Sequence, residues 1–565
     1  VSDRLGSLEV GKDADFALYS GHPFDTLSRV EQTFVDGELM FERRSDVYAD
    51  WSAEMETRIA AGRAALADLP EFPEAAVIAS RNQSVQAAAV NDLAARPSGT
   101  RTASTPSRPA PSPVALVGAR VHTMEFDEDG DAVVHDQGTV LLRDGLIEEV
   151  LPSRGDAAQL TAAGYTVRDV SGFDVWPGWI DGGTTVGLGE ISMVEQSMDV
   201  NEVGGDQPDI RASMGWHPDS ETIPVARANG ITSALIEPGG GSVRGQSALF
   251  GLEGWTVSEA LIAEGTALHL GTPRTHRDED RVESGASEQR DVDHLCLSGG
   301  PDHSAAHNHA ELTAGRPDAD KLAERIEDAW SDLAQMFADA REYARWSAAA
   351  AMDGSSGPQF DPRLDALGPY ALGQSPVIFH ANTADQIADA LDFADTHSLK
   401  AVISGGREAW KVADRLALAD VGVLVGPVLS MPMGNSATYD GPYSNAGLLH
   451  RAGVRIGFRS GDAHSARDLP YHAAMAVAFG LDHDAALAAL TRGTAEILGL
   501  GDRLGRIAPG LRADLLITAG DPLQIVTPIE DVIIGGRVVG TDSKHTRLYE
   551  RYRQRLHDPA SINGR

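Results

Sequence analysis

The sequence predicts an α/β protein: a (β/α)8 TIM-type barrel with a small β-sandwich domain built from both ends of one copy. Three observations carry this. Apolar, β-branched segments such as PVIFH (376–380), KAVISGG (400–406), GVLVGP (422–427) and VRIGF (454–458) alternate with helical segments, the rhythm of a buried parallel sheet. Alternating strand segments bracket that interior at 115–152 and 513–540. A chain of 565 residues, 42% hydrophobic and 23% charged, holds enough apolar material for a barrel and a smaller unit, and is not disordered throughout.

In chain order, the first element is a repeat. DRLGSLEVGKDAD (3–15) recurs as DRLGRIAPGLRAD (502–514), and the match runs on without a gap at an offset of 499. Gly21 and Pro23 meet Gly520 and Pro522, Glu31 meets Glu530, and Gly37 meets Gly536. That period is far too long for a solenoid. Residues 1–75 therefore read as the C-terminal remnant of an upstream copy, closed by a helix over 49–68. Residues 76–112 read as a disordered linker, since 96–113 is dense in Pro, Ser and Thr without apolar periodicity.

The complete copy begins at 113. ALVGARVHTM (115–124) and GTVLLRDGLIEEVLP (138–152) alternate around an Asp144-Gly145 turn. Residues 113–175 plus 501–545 are expected to form the β-sandwich and 176–500 the barrel. VWPGWIDGGTTVGL (175–188) and ITSALIEPGG (231–240) supply the early barrel strands, while 271–365 shows no readable strand. Within it, 298–320 reads as a polar surface loop. His303, His307 and His309 are irregularly spaced there, and with His294 they read as solvated. Residues 321–350 read as a helix with Leu322, Ile326, Trp330, Leu333 and Phe337 on one face.

Composition narrows the partners. With 47 basic and 83 acidic residues the net charge is −36, which repels phosphate backbones and argues against nucleic acid. Either codon bias or a salt-adapted, acidic surface accounts for this balance. No apolar run reaches the roughly 18 residues of a membrane span. The single cysteine, Cys296, excludes an intramolecular disulfide and a Cys-based metal cluster.

PGWID (177–181), HAN (380–382), SGD (460–462) and DRLGRIAPGLRADLLITAGDPL (502–523) together resemble the amidohydrolase superfamily, its imidazolonepropionase-like and adenine-deaminase-like members above all. The resemblance implies a metal-dependent barrel that hydrolyses non-peptide C–N bonds of small amides or cyclic amides. It also implies an HxH pair after the first strand, but Gly183 and Thr185 stand there. His380 matches the strand-five metal histidine, and Asp462 the strand-eight aspartate that serves as ligand or general base. The sixth strand ends in Ser404, Gly405 and Gly406, without an imidazole. The site is thus expected to be degenerate. It would hold at most one divalent ion, zinc, on His380 and Asp462, or none.

Thr185, Glu190, Glu237, Arg407 and His464 are the expected substrate-facing residues, with a solvated or capping role as the alternative for Glu190, Glu237, Arg407 and His464. Two functions follow. One is a hydrolase of a small-molecule substrate with Asp462 activating water. The other is an inactive barrel serving as binding or structural partner of an upstream copy or within a homo-oligomer.

Overall fold

The computed structural model describes residues 4–43, 49–67, 108–127, 132–273, 319–433 and 438–557. Strands β1 (Phe16–Tyr19), β2 (Val30–Val35) and β3 (Glu38–Glu42) form an antiparallel three-stranded sheet. β4 (Val114–Phe126), β5 (Ala132–Arg143), β6 (Leu146–Leu151), β7 (Thr166–Asp169) and β8 (Asp174–Pro177) follow.

The interior strands are β9 (Trp179–Thr184), β10 (Ile231–Ile236), β11 (Val243–Gly251), β12 (Leu261–Gly271), β13 (Pro376–Ala381), β14 (Lys400–Gly405), β15 (Gly422–Val425) and β16 (Ile456–Phe458). They pair in sequence order into one eight-stranded, nearly closed barrel sheet. β15 (GVLV) is an unbroken apolar run because both its faces are covered, whereas β9 (WIDGGT) and β10 (ITSALI) are equally buried yet carry Asp181, Thr184, Thr232 and Ser233.

One strand departs from the (β/α)8 expectation. β11 is antiparallel to both β10 and β12, so seven strands run one way and one runs back. The link from β10 to β11 is the short stretch 237–242, which cannot hold the crossover a parallel neighbour needs. In the stretch where no strand was readable, β12 runs to Gly271 and helices span Ala319–Asp353 and Pro362–Ala371. Leu333 and Phe337 of the first helix are buried and Trp330 packs against the core, as its period predicts. The His-rich loop lies outside the described residues, apart from its last positions, as does the linker before 108.

β17 (Leu515–Thr518), β18 (Ile529–Ile534) and β19 (Arg537–Val538) join β8, β4, β5 and β6 in a second sheet, with β7 on β4. Both ends of the copy therefore build one sheet. Leu116, Val140, Val175, Leu515 and Ile533 share its core.

The barrel closes between β9 and the loop after β16. Gly461 N donates to Gly183 O (3.0 Å), Ser460 N to Asp181 Oδ1 (3.0 Å), and Ala463 N to Thr185 Oγ1 (3.1 Å). Thr184 Oγ1 donates to Asp462 O at 2.9 Å. Asp181 is fully buried, and burial pushes its carboxyl up to about 7 against the opposing pull of hydrogen bonds from Ser460 and Gly183. No described helix is long and apolar enough to cross a membrane.

Candidate active site

Three buried or half-buried side chains meet at the C-terminal mouth of the barrel. Glu237 follows β10, His269 sits near the end of β12, and His380 near the end of β13. β12 and β13 are parallel neighbours, with Gly271 beside His380 and His269 beside Ile378. The offset brings the rings together: His269 Nδ1 lies 2.9 Å from His380 Nε2, and Glu237 Oε2 lies 3.8 Å from His269 Nδ1. One ligand atom from each residue falls within 4.8 Å of the other two. Among the described residues this is the one such His/Cys/Asp/Glu group.

Burial holds both imidazoles well below the usual histidine range. The positive charges of Arg244 and Arg459 push the same way. Both rings therefore favour the neutral form, one donating its N–H to the other, and a cation seated between them would take the place of that shared proton.

Arg459, just past β16, donates Nη2–H to Glu237 Oε1 across the mouth. The pair is buried, with side chains 5% and 1% exposed, and it explains the missing imidazole at 183. A Cβ on Gly183 would lie 2.7 Å from Glu237 Oε2 and 2.9 Å from Arg459 Nε. A histidine cannot enter that space while the ion pair fills it. Gly405 is constrained likewise, since a Cβ there would lie 2.5 Å from Asn382 Oδ1.

The other expected residues fall elsewhere. Asp462 does not join the cluster: its Oδ1 accepts from His464 N (2.7 Å) and Ser465 N (2.9 Å), capping the turn after β16. Thr185 spends its hydroxyl on the closure seam. Glu190 Oε2 accepts from Glu221 N at 3.3 Å on a loop. His464 is exposed, and Arg407 is half-buried after β14. His472 is buried, its Nδ1 accepting from Val428 N (3.3 Å), and burial lowers it to about 4. Of the expected set, only His380 and Glu237 are brought together. His269 was not anticipated, although TALHLG places a histidine at the end of an apolar run as PVIFH does.

A family model described as the amidohydrolase family matches residues 479–540. Amidohydrolase tasK of Hapsidospora irregularis is 25% identical over 418 residues, which cover 71% of this chain and 39% of that protein. In fold the chain is similar to an amidohydrolase from Thermotoga maritima MSB8, with a TM-score of 0.59 at 23% identity over 75% of this chain and 99% of that one. The resemblance to the amidohydrolase superfamily is borne out. The chain spans 39% of the length of the Hapsidospora relative.

Amidohydrolases usually bind a metal, and the donor set here fits one ion. Two neutral imidazoles and a carboxylate are a recognised zinc set. Glu237 Oε2 and His269 Nε2 are buried without a hydrogen-bond partner, so the carboxylate keeps one oxygen free while Arg459 takes the other. A second ion finds no donors at Gly183 or Gly405, and the Thr185 hydroxyl is engaged.

Proposed function

We propose that this chain is a hydrolase of carbon–nitrogen bonds in small amides or cyclic amides, working from a one-ion site on Glu237, His269 and His380. The observation that carries the reading is that cluster, gathered at the barrel mouth just after β10 and near the ends of β12 and β13, with Glu237 Oε2 left without a hydrogen-bond partner. A divalent ion bound there, zinc by its ligand types, would polarise the amide carbonyl and lower the pKa of its water.

The chain's own residues supply the rest. His269 and His380 stay neutral because burial and two nearby guanidinium groups disfavour their protonation. Arg459 fixes the Glu237 carboxylate so that Oε2 faces the rings. Its positive charge beside that carboxylate also favours the oxyanion that forms as a carbonyl is attacked. Asp462 acts in this reading as a positioning residue, its carboxylate capping the turn at His464 and Ser465 that follows the closure seam. In this reading the single terminal sheet built from both ends of the copy takes the place of the expected β-sandwich.

A screen of small amides, lactams and cyclic ureas with the purified chain tests this. Hydrolysis is expected to fall at least ~100-fold in His380→Ala and Glu237→Gln, with far-UV circular dichroism unchanged. Turnover retained in both folded variants would place the chemistry elsewhere.

A further inference from the structure

The duplicated segment folds twice, and among the described residues only its second copy is paired on both edges of its first strand. At an offset of 499 residues, β1 (16–19) coincides with β17 (515–518) and β2 (30–35) with β18 (529–534). The registers coincide too. Phe16 pairs Phe34 as Leu515 pairs Ile533, and the same irregularity follows at Leu18/Tyr19 and Ile517/Thr518. Asp15 Oδ1 accepts from Asp36 N (2.8 Å) as Asp514 Oδ1 accepts from Gly535 N (2.7 Å).

The environments differ. The far edge of β17 is hydrogen-bonded to β8, whereas β1 carries no second neighbour among the described residues. Leu18 is 46% and Tyr19 41% exposed, yet their counterparts Ile517 and Thr518 are 1% and 0% exposed. Four residues of unpaired strand edge are a template for another strand.

The contact between the two hairpins shows how a partner would sit. Gln524 Nε2 donates to Asp25 Oδ1 (2.7 Å), and Ile525 N to Thr26 Oγ1 (3.0 Å). Asp25 is the counterpart of Gln524 and Thr26 that of Ile525, so equivalent residues face each other, as across a two-fold axis. The N-terminal segment is also firmly seated on this barrel: in helix Ala49–Ala67, Met55 and Ile59 are buried and Arg58 pairs with Asp414 at 2.6 Å.

We propose that the open edge of β1 docks the β8-equivalent strand of a second barrel of this kind. Strands β1–β3 then complete that barrel's terminal sheet, and the helix Ala49–Ala67 clamps it to this one about a pseudo-two-fold axis. A plain second copy of this chain does not fit the edge, because its β8 is already held between β17 and β4. The occupant is a barrel whose hairpin is β1–β3.

Hydrogen exchange with sedimentation on the full chain tests the vacancy. The outward amides of residues 16–19 are expected to exchange at least ~100-fold faster than those of 515–518, in a monomer. Equal protection in the monomer, or a dimer that protects them, would overturn the proposal. A tandem chain with residues 113–501 joined ahead of residue 3 then offers the missing strand. Slowing of the 16–19 amides to the level of β17 supports the assignment. Unchanged fast exchange in a cooperatively folded tandem overturns it, and if the tandem does not fold the full-chain measurement decides.

Discussion

Gly183 shows how one residue can encode the loss of one ligand and the presence of another group. Its missing side chain is the room taken by Glu237 Oε2 and Arg459 Nε. Gly183→Ala should cost about 1–3 kcal/mol of stability by overpacking and should weaken metal binding by tilting Glu237. Urea unfolding and metal titration of the variant check both.

Asp181 gives a pH test. Its folded value of about 7 lies above the ordinary 3.8, so the folded state holds the proton more tightly. The stability this contributes is full below pH ~4 and is lost as pH rises to about 7. Unfolding free energies of the native chain and Asp181→Asn, measured from pH 5 to 7, should therefore diverge by roughly 2 kcal/mol against the native chain. A constant difference would contradict the raised value.

His380 and Glu237 were legible because each ends an apolar run at the side where barrel chemistry sits. His269 was hidden because the chain beyond it, 274–318, carries no readable element to define where its strand stops. Asp462 fits a sequence motif and a turn cap equally well, and only coordinates distinguish them.

At the scale of elements, the closure seam decides what Thr185 does. It accepts a backbone N–H of the loop after β16 and is nearly fully buried. Thr185→Val should cost about 1–2 kcal/mol by leaving that amide unsatisfied, with metal content unchanged. Loss of substrate binding without loss of stability would restore the substrate-facing role.

Parallel strands such as β13 and β15 were readable because burial on both faces leaves short, continuous apolar runs. β11 was not, since SVRGQSALFG breaks that pattern with Gly and polar residues, and its direction follows from a short link rather than from composition. The terminal strands were readable from both ends because each alternates, although their union in one sheet is a tertiary fact.

For the whole molecule, the net charge of −36 on a chain of pI about 4.8 implies self-repulsion that salt relieves. The thermal midpoint should rise on going from about 0.05 M to 1 M KCl, since screening lengths fall from over 10 Å to about 3 Å. A flat response would mean that the acidic groups are already compensated locally.

The central claim is a single metal held by Glu237, His269 and His380. Elemental analysis of chain purified without chelators, beside folded His269→Ala, measures it most directly. One divalent equivalent in the native chain and none in the variant is the expected result. Two equivalents, or one that survives loss of His269, would contradict the account.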